Sequence, residues 1–192
     1  MPMNTKQLVE KSLNDSARTI ESMVADSAAI AAAAEGIVAA LKSGRKVLTA
    51  GNGGSAAEAM HMAEELIGRF KSNRVALPGI ALAADATALT CIANDFGFNA
   101  VFSRQIEGLG HPGDILVLFS SSGNSENIVL ALDAAHKKGM KTLCLLGHGG
   151  GKLAGKGTWQ IIVPGQETAR VQEAHQVILH IILEHVETAF HS

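Results

Sequence analysis

Two loops in this 192-residue chain concentrate groups suited to holding a phosphate. The first is Ser120-Ser121-Ser122-Gly123-Asn124-Ser125, hydroxyl-rich and set between a strand-like run and a helical pattern. At a helix start, free backbone N–H groups and the positive end of the macrodipole attract anions, so the segment describes a phosphate-monoester cradle without lysine. It also describes a serine-rich turn with a capping residue; its place at a strand end favours the cradle. No Gly-Lys-Ser/Thr follows, which excludes a Walker A loop. The second loop is Gly51-Asn52-Gly53-Gly54-Ser55. Its glycines let backbone approach a ligand closely, or simply make a tight strand-to-helix turn. Ser55 and Glu58 have the spacing of a capping box opening the next helix. Gly51-x-Gly53-x-x-Ala56 also matches a dinucleotide fingerprint. The acid that should follow about 20 residues later is missing, Asp85 coming too late, so no dinucleotide is expected.

Ionisable residues gather on two helical patterns. His61, Glu65 and Arg69 recur at i, i+4 and i+8, opposite a core stripe of Ala59, Met62, Ala63, Leu66 and Phe70. His61 and Glu65 can share a metal or a substrate. By spacing alone, a solvated face with a Glu65–Arg69 pair worth ~0.3–0.5 kcal/mol is the simpler reading. In the last helical pattern Val171, Ala174, Ile178, Ile181, Ile182 and Val186 point inward. His180 lies near the opposite side beside Gln176 and Glu184, with Gln172 about 80° away on an ideal helix. A helix so apolar around its circumference suggests a subunit interface bordering the site. His111, His148 and His191 read as loop or surface residues, and His136, His175 and His185 as helical residues with no nameable partner. Asn94-Asp95-Phe96-Gly97-Phe98-Asn99 can reach a sugar hydroxyl or simply cap a turn.

The elements that must position these groups follow from periodicity. Residues 1–43 read as helices, with a stripe of Val9, Leu13, Ala17, Ile20 and Val24, then a second of Ile30, Ala33, Ala34, Ile37 and Leu41 begun by Asp26 or Ser27 and stopped by Gly44. Short continuous apolar runs at Lys46–Ala50, Gly79–Ala83, Ile115–Phe119, Thr142–Leu146 and Gln160–Val163 read as strands buried on both faces. Helical patterns lie between and after them at Ser55–Phe70, Thr87–Asn94, Ala100–Leu109, Ser125–Lys138 and Glu167–Ala189. This alternation predicts an α/β fold: a five-stranded parallel sheet with helices on both faces, in one domain spanning 1–192.

Composition narrows the function classes. Hydrophobic residues are 47% and charged residues 18%, which excludes a disordered chain. A net charge of −2, 4% aromatic residues and no Tyr argue against a nucleic-acid groove. The N-terminal Met1-Pro2-Met3-Asn4 opens no signal-peptide pattern, and no run approaches the roughly 18 uninterrupted apolar residues of a membrane span, so a cytoplasmic location is expected. Cys91 and Cys144 have no metal or redox spacing.

Taken in order, Gly51–Ser55, Ala59-Met60-His61-Met62-Ala63-Glu64-Glu65-Leu66, Asn94–Asn99, Ser120–Ser125 and Arg170-Val171-Gln172-Glu173-Ala174-His175 with His180 beyond resemble the SIS (sugar isomerase) family of phosphosugar-binding domains. More narrowly, they resemble its branch acting on sedoheptulose 7-phosphate. The resemblance covers essentially the whole chain. It implies a flavodoxin-like three-layer sandwich, with the N-terminal helices of residues 1–43 building the interface of a homotetramer, residues 44–192 forming the phosphosugar-binding core, and sites shared between subunits. It implies substrate contacts at Asn52, Gly53, Gly54, Ser55, Glu65, Asn94, Asp95, Ser120, Ser121, Ser122, Ser125 and Gln172. It implies zinc held by His61, Glu65, Gln172 and His180, with Glu65 and His180 as the acid–base pair. Ser121 stands where the family commonly has Thr, a loss of only a methyl group. The implied reaction is isomerisation to D-glycero-D-manno-heptose 7-phosphate, an early step toward lipopolysaccharide or another surface glycan. The alternatives are a non-catalytic SIS adaptor for the replication initiator protein, or an isomerase of another phosphosugar. Arg69 is a further candidate for balancing anionic charge.

Overall fold

The structure is a computed structural model and describes residues 3–191; Met1 and Pro2, where the leader reading begins, and Ser192 lie outside the described residues. Helix α1 (Thr5–Ser22) opens with a capping box: the Asn4 side chain accepts from Gln7 N, and the Gln7 side chain accepts from Asn4 N. A 3-10 turn at Met23–Asp26 leads into α2 (Ser27–Lys42). Asp26 occupies the cap position but makes no side-chain cap bond, because the preceding turn already delivers the backbone in near-helical form.

The α2 stripe of Ile30, Ala33, Ala34, Ile37 and Leu41 is buried as its periodicity predicts. The α1 stripe is not. Val9, Leu13 and Val24 are 51%, 66% and 72% exposed, so among the described residues most of this apolar face is left uncovered. The stretch Thr5–Lys42 is also long and apolar enough, by length and composition, to cross a membrane, although it holds no uninterrupted apolar run of the length a span needs. Alanines supply the apolarity without an uninterrupted run, the 3-10 turn interrupts the stretch, and α2 covers its large side chains against the core.

Five strands form one parallel sheet in the order β2-β1-β3-β4-β5: β1 Val47–Gly51, β2 Gly79–Ala81, β3 Ile115–Ser120, β4 Lys141–Leu146 and β5 Trp159–Ile162. Every residue of β1 and β3 is buried, as continuous apolar runs require of central strands. Helices α3 (Gly54–Ile67), α4 (Ala86–Phe96), α5 (Ser103–Leu109), α6 (Glu126–Lys137) and α7 (Thr168–Phe190) complete the chain. One core is built from Ile37, Met62, Leu66, Ile178 and Ile182 of α2, α3 and α7 on one sheet face. The other holds Ile92, Ile106, Ile128 and Leu132 of α4, α5 and α6. The result is the expected three-layer α/β sandwich. The pattern read as helix from Ala100 begins instead at Ser103, after a 3-10 turn at Phe98–Ala100.

Two buried polar ties brace this frame. Lys46 donates from its backbone N and its Nζ to the Asp114 carboxylate, at 3.0 and 2.5 Å, joining the segments that enter β1 and β3. Arg74 Nε lies 3.0 Å from Glu187 Oε2, fastening the chain after α3 to the end of α7. From β1 the chain turns to α3 on one sheet face, and from β3 to α6 on the other. That is the topological switch point of the sheet, where a crevice opens outside the carboxyl ends of the strands.

Candidate functional site

Both predicted loops border this crevice. Asn52, in the loop after β1, and Asn127, in the first turn of α6, exchange two side-chain amide hydrogen bonds of 2.9 Å each. Asn52, Ser55, Phe119, Ser120, Ser121, Ser122 and Ser125 line a cavity of ≈ 50 Å³. This is well below the roughly 300–1,000 Å³ of a whole-ligand pocket, so it suits one end of a ligand.

Local bonding shapes the serine loop. Ser120 Oγ accepts from Gly123 N at 3.1 Å, and Ser122 Oγ accepts from Asn124 N at 3.2 Å. Gly123 sits at φ +62°, and a Cβ there would overlap the Gly150 carbonyl. The glycine-rich turn at His148–Leu153 therefore packs directly on the cradle, and Lys152 N donates to Asn124 Oδ1 at 3.1 Å. Ser125 takes the cap position of α6 without a side-chain cap bond, leaving its hydroxyl for another partner.

The Ser55–Glu58 capping box does not form. The cap of α3 is Gly53, at φ +57°, so Ser55 already lies inside the helix, and both Ser55 and Glu58 are buried. The shift turns Ser55 toward the cradle. Gln172 of α7 packs its amide on Gly54, where any Cβ would collide with it.

The ionisable cluster continues along α3. His61 Nε2 is 3.3 Å from Glu65 Oε1, and the Gln176 side-chain amide hydrogen-bonds His61 Nδ1. The His180 ring lies edge-on to His61 at 5.3 Å between centroids and stacks on Phe70 at 5.6 Å. His61, Glu64 and Glu65 each offer a ligand atom within 4.8 Å of the others. The structure thus brings together His61, Glu65 and His180. It sets Gln176, rather than Gln172, against His61. Glu64 and Gln176 received no role from sequence, although i, i+3 spacing from His61 and proximity to His180 on one helix face were available signals.

Other candidates fall elsewhere. Arg69 Nη1 donates to Asn73 at 2.8 Å on the surface, so the expected Glu65–Arg69 pair is absent; Arg74 Nη2 donates to the Glu65 carbonyl instead. Asn94 Nδ2 donates to Asp95 Oδ1 at 2.8 Å near the exposed end of α4, and neither residue lines the cradle. Asp85 caps α4 through Thr87 N and Ala88 N, which gives it a structural duty. Ile181, expected inside, is 43% exposed. The Cys144 thiol is pushed up to about 12 by burial in β4, so it stays unreactive.

Comparison with known proteins places this geometry. The SIS domain family model matches residues 13–147. A phosphoheptose isomerase of Vibrio cholerae serotype O1 is 46% identical over 186 residues, covering 95% of this chain and 97% of the relative. One from Edwardsiella ictaluri is 45% identical over 186 residues, covering 95% and 96%. Among solved structures, a phosphoheptose isomerase from Francisella tularensis superposes with TM-score 0.89 at 34% identity, covering 97% of this chain and all of the other. That of Neisseria gonorrhoeae gives 0.88 at 36% identity, covering 96% and 100%. With the crevice, the cradle and the full-length match in agreement, the chain belongs to the SIS domain family and, within it, to the phosphoheptose isomerases.

Proposed function

We propose that this chain is a zinc-assisted ketose–aldose isomerase converting sedoheptulose 7-phosphate to D-glycero-D-manno-heptose 7-phosphate. The carrying observation is that α3 joins the two halves of the site. Its first turn borders the serine cradle, and its later turns present His61 and Glu65 to His180.

The cradle holds the phosphate through the Ser120, Ser121, Ser122 and Ser125 hydroxyls, with Asn52, Gly53, Gly54 and Ser55 on the opposite side. Gln172, packed on Gly54, orients the sugar between the two halves, and Asn94 and Asp95 serve its hydroxyls. Glu65 takes a proton from carbon 1 of the 2-ketose and returns it to carbon 2. His180 moves the accompanying proton between the two oxygens. Each such acid or base supplies about 10²–10⁴ in rate.

The donor set supports a metal here, since imidazole nitrogens and carboxylate oxygens suit zinc. The Gln176 amide can turn to accept from His61 Nδ1–H, which frees Nε2 as a ligand and fixes the ring from behind. His61, Glu65, Gln172 and His180 would hold the ion, with Glu64 within reach. When bound, zinc would polarise the carbonyl and stabilise the enediolate.

The proposal extends to assembly as a homotetramer with sites at subunit interfaces. Leu13 and Val24 of the N-terminal helices and Ile181 of α7 are exposed, and an apolar groove of ≈ 430 Å³ lies between α2 and α7. The product would supply activated heptose for lipopolysaccharide or another surface glycan, made in the cytoplasm.

Proton NMR of zinc-loaded protein with sedoheptulose 7-phosphate in deuterated water tests the reading. Aldose anomeric signals are the expected result, with deuterium at carbon 2 to the extent that the proton held by Glu65 exchanges with solvent. Isomerisation of only a five- or six-carbon phosphosugar would replace the substrate. No turnover of any of them, together with capture of the replication initiator protein, would replace the function with that of an adaptor.

A further inference from the structure

Between the cradle and the ionisable cluster lies a buried pair that the mechanism above does not use. Glu58 of α3 is 7% exposed and His175 of α7 is fully buried. Both Glu58 carboxylate oxygens and His175 Nδ1 lack any hydrogen-bond partner, and Nδ1 faces Glu58 Oε1 at 3.9 Å. The other ring nitrogen, Nε2, lies 3.1 Å from the carbonyl of Leu146, the last residue of β4. The imidazole also stands edge-on to Phe119, whose residue lines the cradle.

The placement is regular. Contacts between α3 and α7 form three successive rungs: Gly54 with Gln172, Glu58 with His175, and His61 with Gln176. The outer rungs carry proposed substrate and metal groups, while the middle rung is buried and ionisable. An apolar pair would pack two helices together without the desolvation penalty that a carboxyl and an imidazole bring. Nε2–H donating to the Leu146 carbonyl leaves Nδ1 either as the acceptor of a neutral ring or as the second donor of a charged one. In both cases a single proton shared between Nδ1 and Glu58 Oε1 would give each of these two atoms a partner once the carboxyl moves in from 3.9 Å to hydrogen-bond distance.

We propose that Glu58 and His175 are a positioning pair that shares one proton and sets α3 against α7, so that Glu65 and His180 meet the substrate in register. The pair touches no substrate and acts through the helices that carry the catalytic groups. This inference rests on the proposed isomerase function. Its consequence is a rate effect without a binding effect, because misplacing reacting groups slows chemistry while the phosphate cradle still holds the sugar.

The test compares Glu58→Leu and Glu58→Gln in the full-length, zinc-loaded protein. Glu58→Leu, similar in size but unable to hydrogen-bond, is expected to lower kcat by about 10-fold or more with KM within about 3-fold. Glu58→Gln, whose amide can donate to Nδ1, is expected to restore kcat to within about 3-fold of wild type. Long-range nitrogen–proton NMR of the wild type should show His175 protonated at Nε2 and hydrogen-bonded at Nδ1. Glu58→Leu turning over like wild type, Glu58→Gln no better than Glu58→Leu, or a His175 Nδ1 signal of a free acceptor would each overturn the proposal. If Glu58→Leu fails to fold, the nitrogen signals of wild type and Glu58→Gln decide. A wild type inactive on every phosphosugar would refute the isomerase reading, and the nitrogen signals would still report on the pair.

Discussion

Asn52 and Asn127 exchange paired amide hydrogen bonds across the switch point of the sheet. They tie the loop after β1 to the first turn of α6, and so fix the two walls of the serine cradle relative to one another. Nothing else among the described side-chain hydrogen bonds joins these two segments. If the cradle binds the phosphate end, Asn127→Ala should raise KM about 10-fold through the lost constraint on Asn52, with kcat reduced much less. Steady-state kinetics with varied sugar phosphate reads the split.

Glu65 stands 3.3 Å from His61 and, like His180, is given both metal-binding and proton-transfer duties. Glu65→Gln keeps size and hydrogen bonding while removing the base. Turnover should fall by at least about 10²-fold, with the circular dichroism spectrum and melting profile unchanged. Activity within a few-fold of wild type would remove Glu65 from the mechanism.

Gly123 meets two constraints at once: its positive φ, and the Gly150 carbonyl that a side chain would strike. Gly123→Ala should therefore cost about 1–3 kcal/mol in stability and displace the His148–Leu153 turn from the cradle. Chemical denaturation would show the first effect. Loss of inorganic phosphate as a competitive inhibitor would show the second.

Arg74 and Glu187 form a buried ion pair, with the Arg74 side chain only 1% exposed. Burial alone would raise the Glu187 carboxyl, but hydrogen bonds from Ser72 N, Ser72 Oγ and Arg74 outweigh it and hold the group at about 2, against an ordinary 4.5. A depressed carboxyl contributes stability fully above its unfolded value, and that contribution is lost as pH falls through the folded one. The melting temperature should therefore drop between about pH 4.5 and pH 2, a window taken from those two values. Glu187→Ala should flatten that slope and lower stability near neutral pH by about 3–5 kcal/mol, since it strands a buried guanidinium.

The sequence by itself determined the strands, the order of elements and the loops that carry the chemistry. Continuous apolar runs such as Ile115–Phe119 pointed to a doubly covered strand, and the helical pattern read over Ser125–Lys138 matches α6 at Glu126–Lys137. Motif spacing likewise put His61 and Glu65 on one face, because four residues return a helix to nearly the same side.

Tertiary structure alone decided which faces meet. Periodicity marked both the α1 and the α2 stripes as apolar, yet among the described residues the α2 stripe is buried while Val9, Leu13 and Val24 of the first stay exposed. Ser55–Glu58 had the spacing of a cap, but the helix starts at Gly54 with Gly53 as its cap and buries both residues against α7 and the crevice. Gln176 reaches His61 across 115 positions, and His175 meets Glu58 across a comparable separation. Local sequence encodes the period and ends of each element through backbone sterics and side-chain direction. Contacts between distant elements depend on how those elements pack once the sheet has formed, and no window along one chain contains that information.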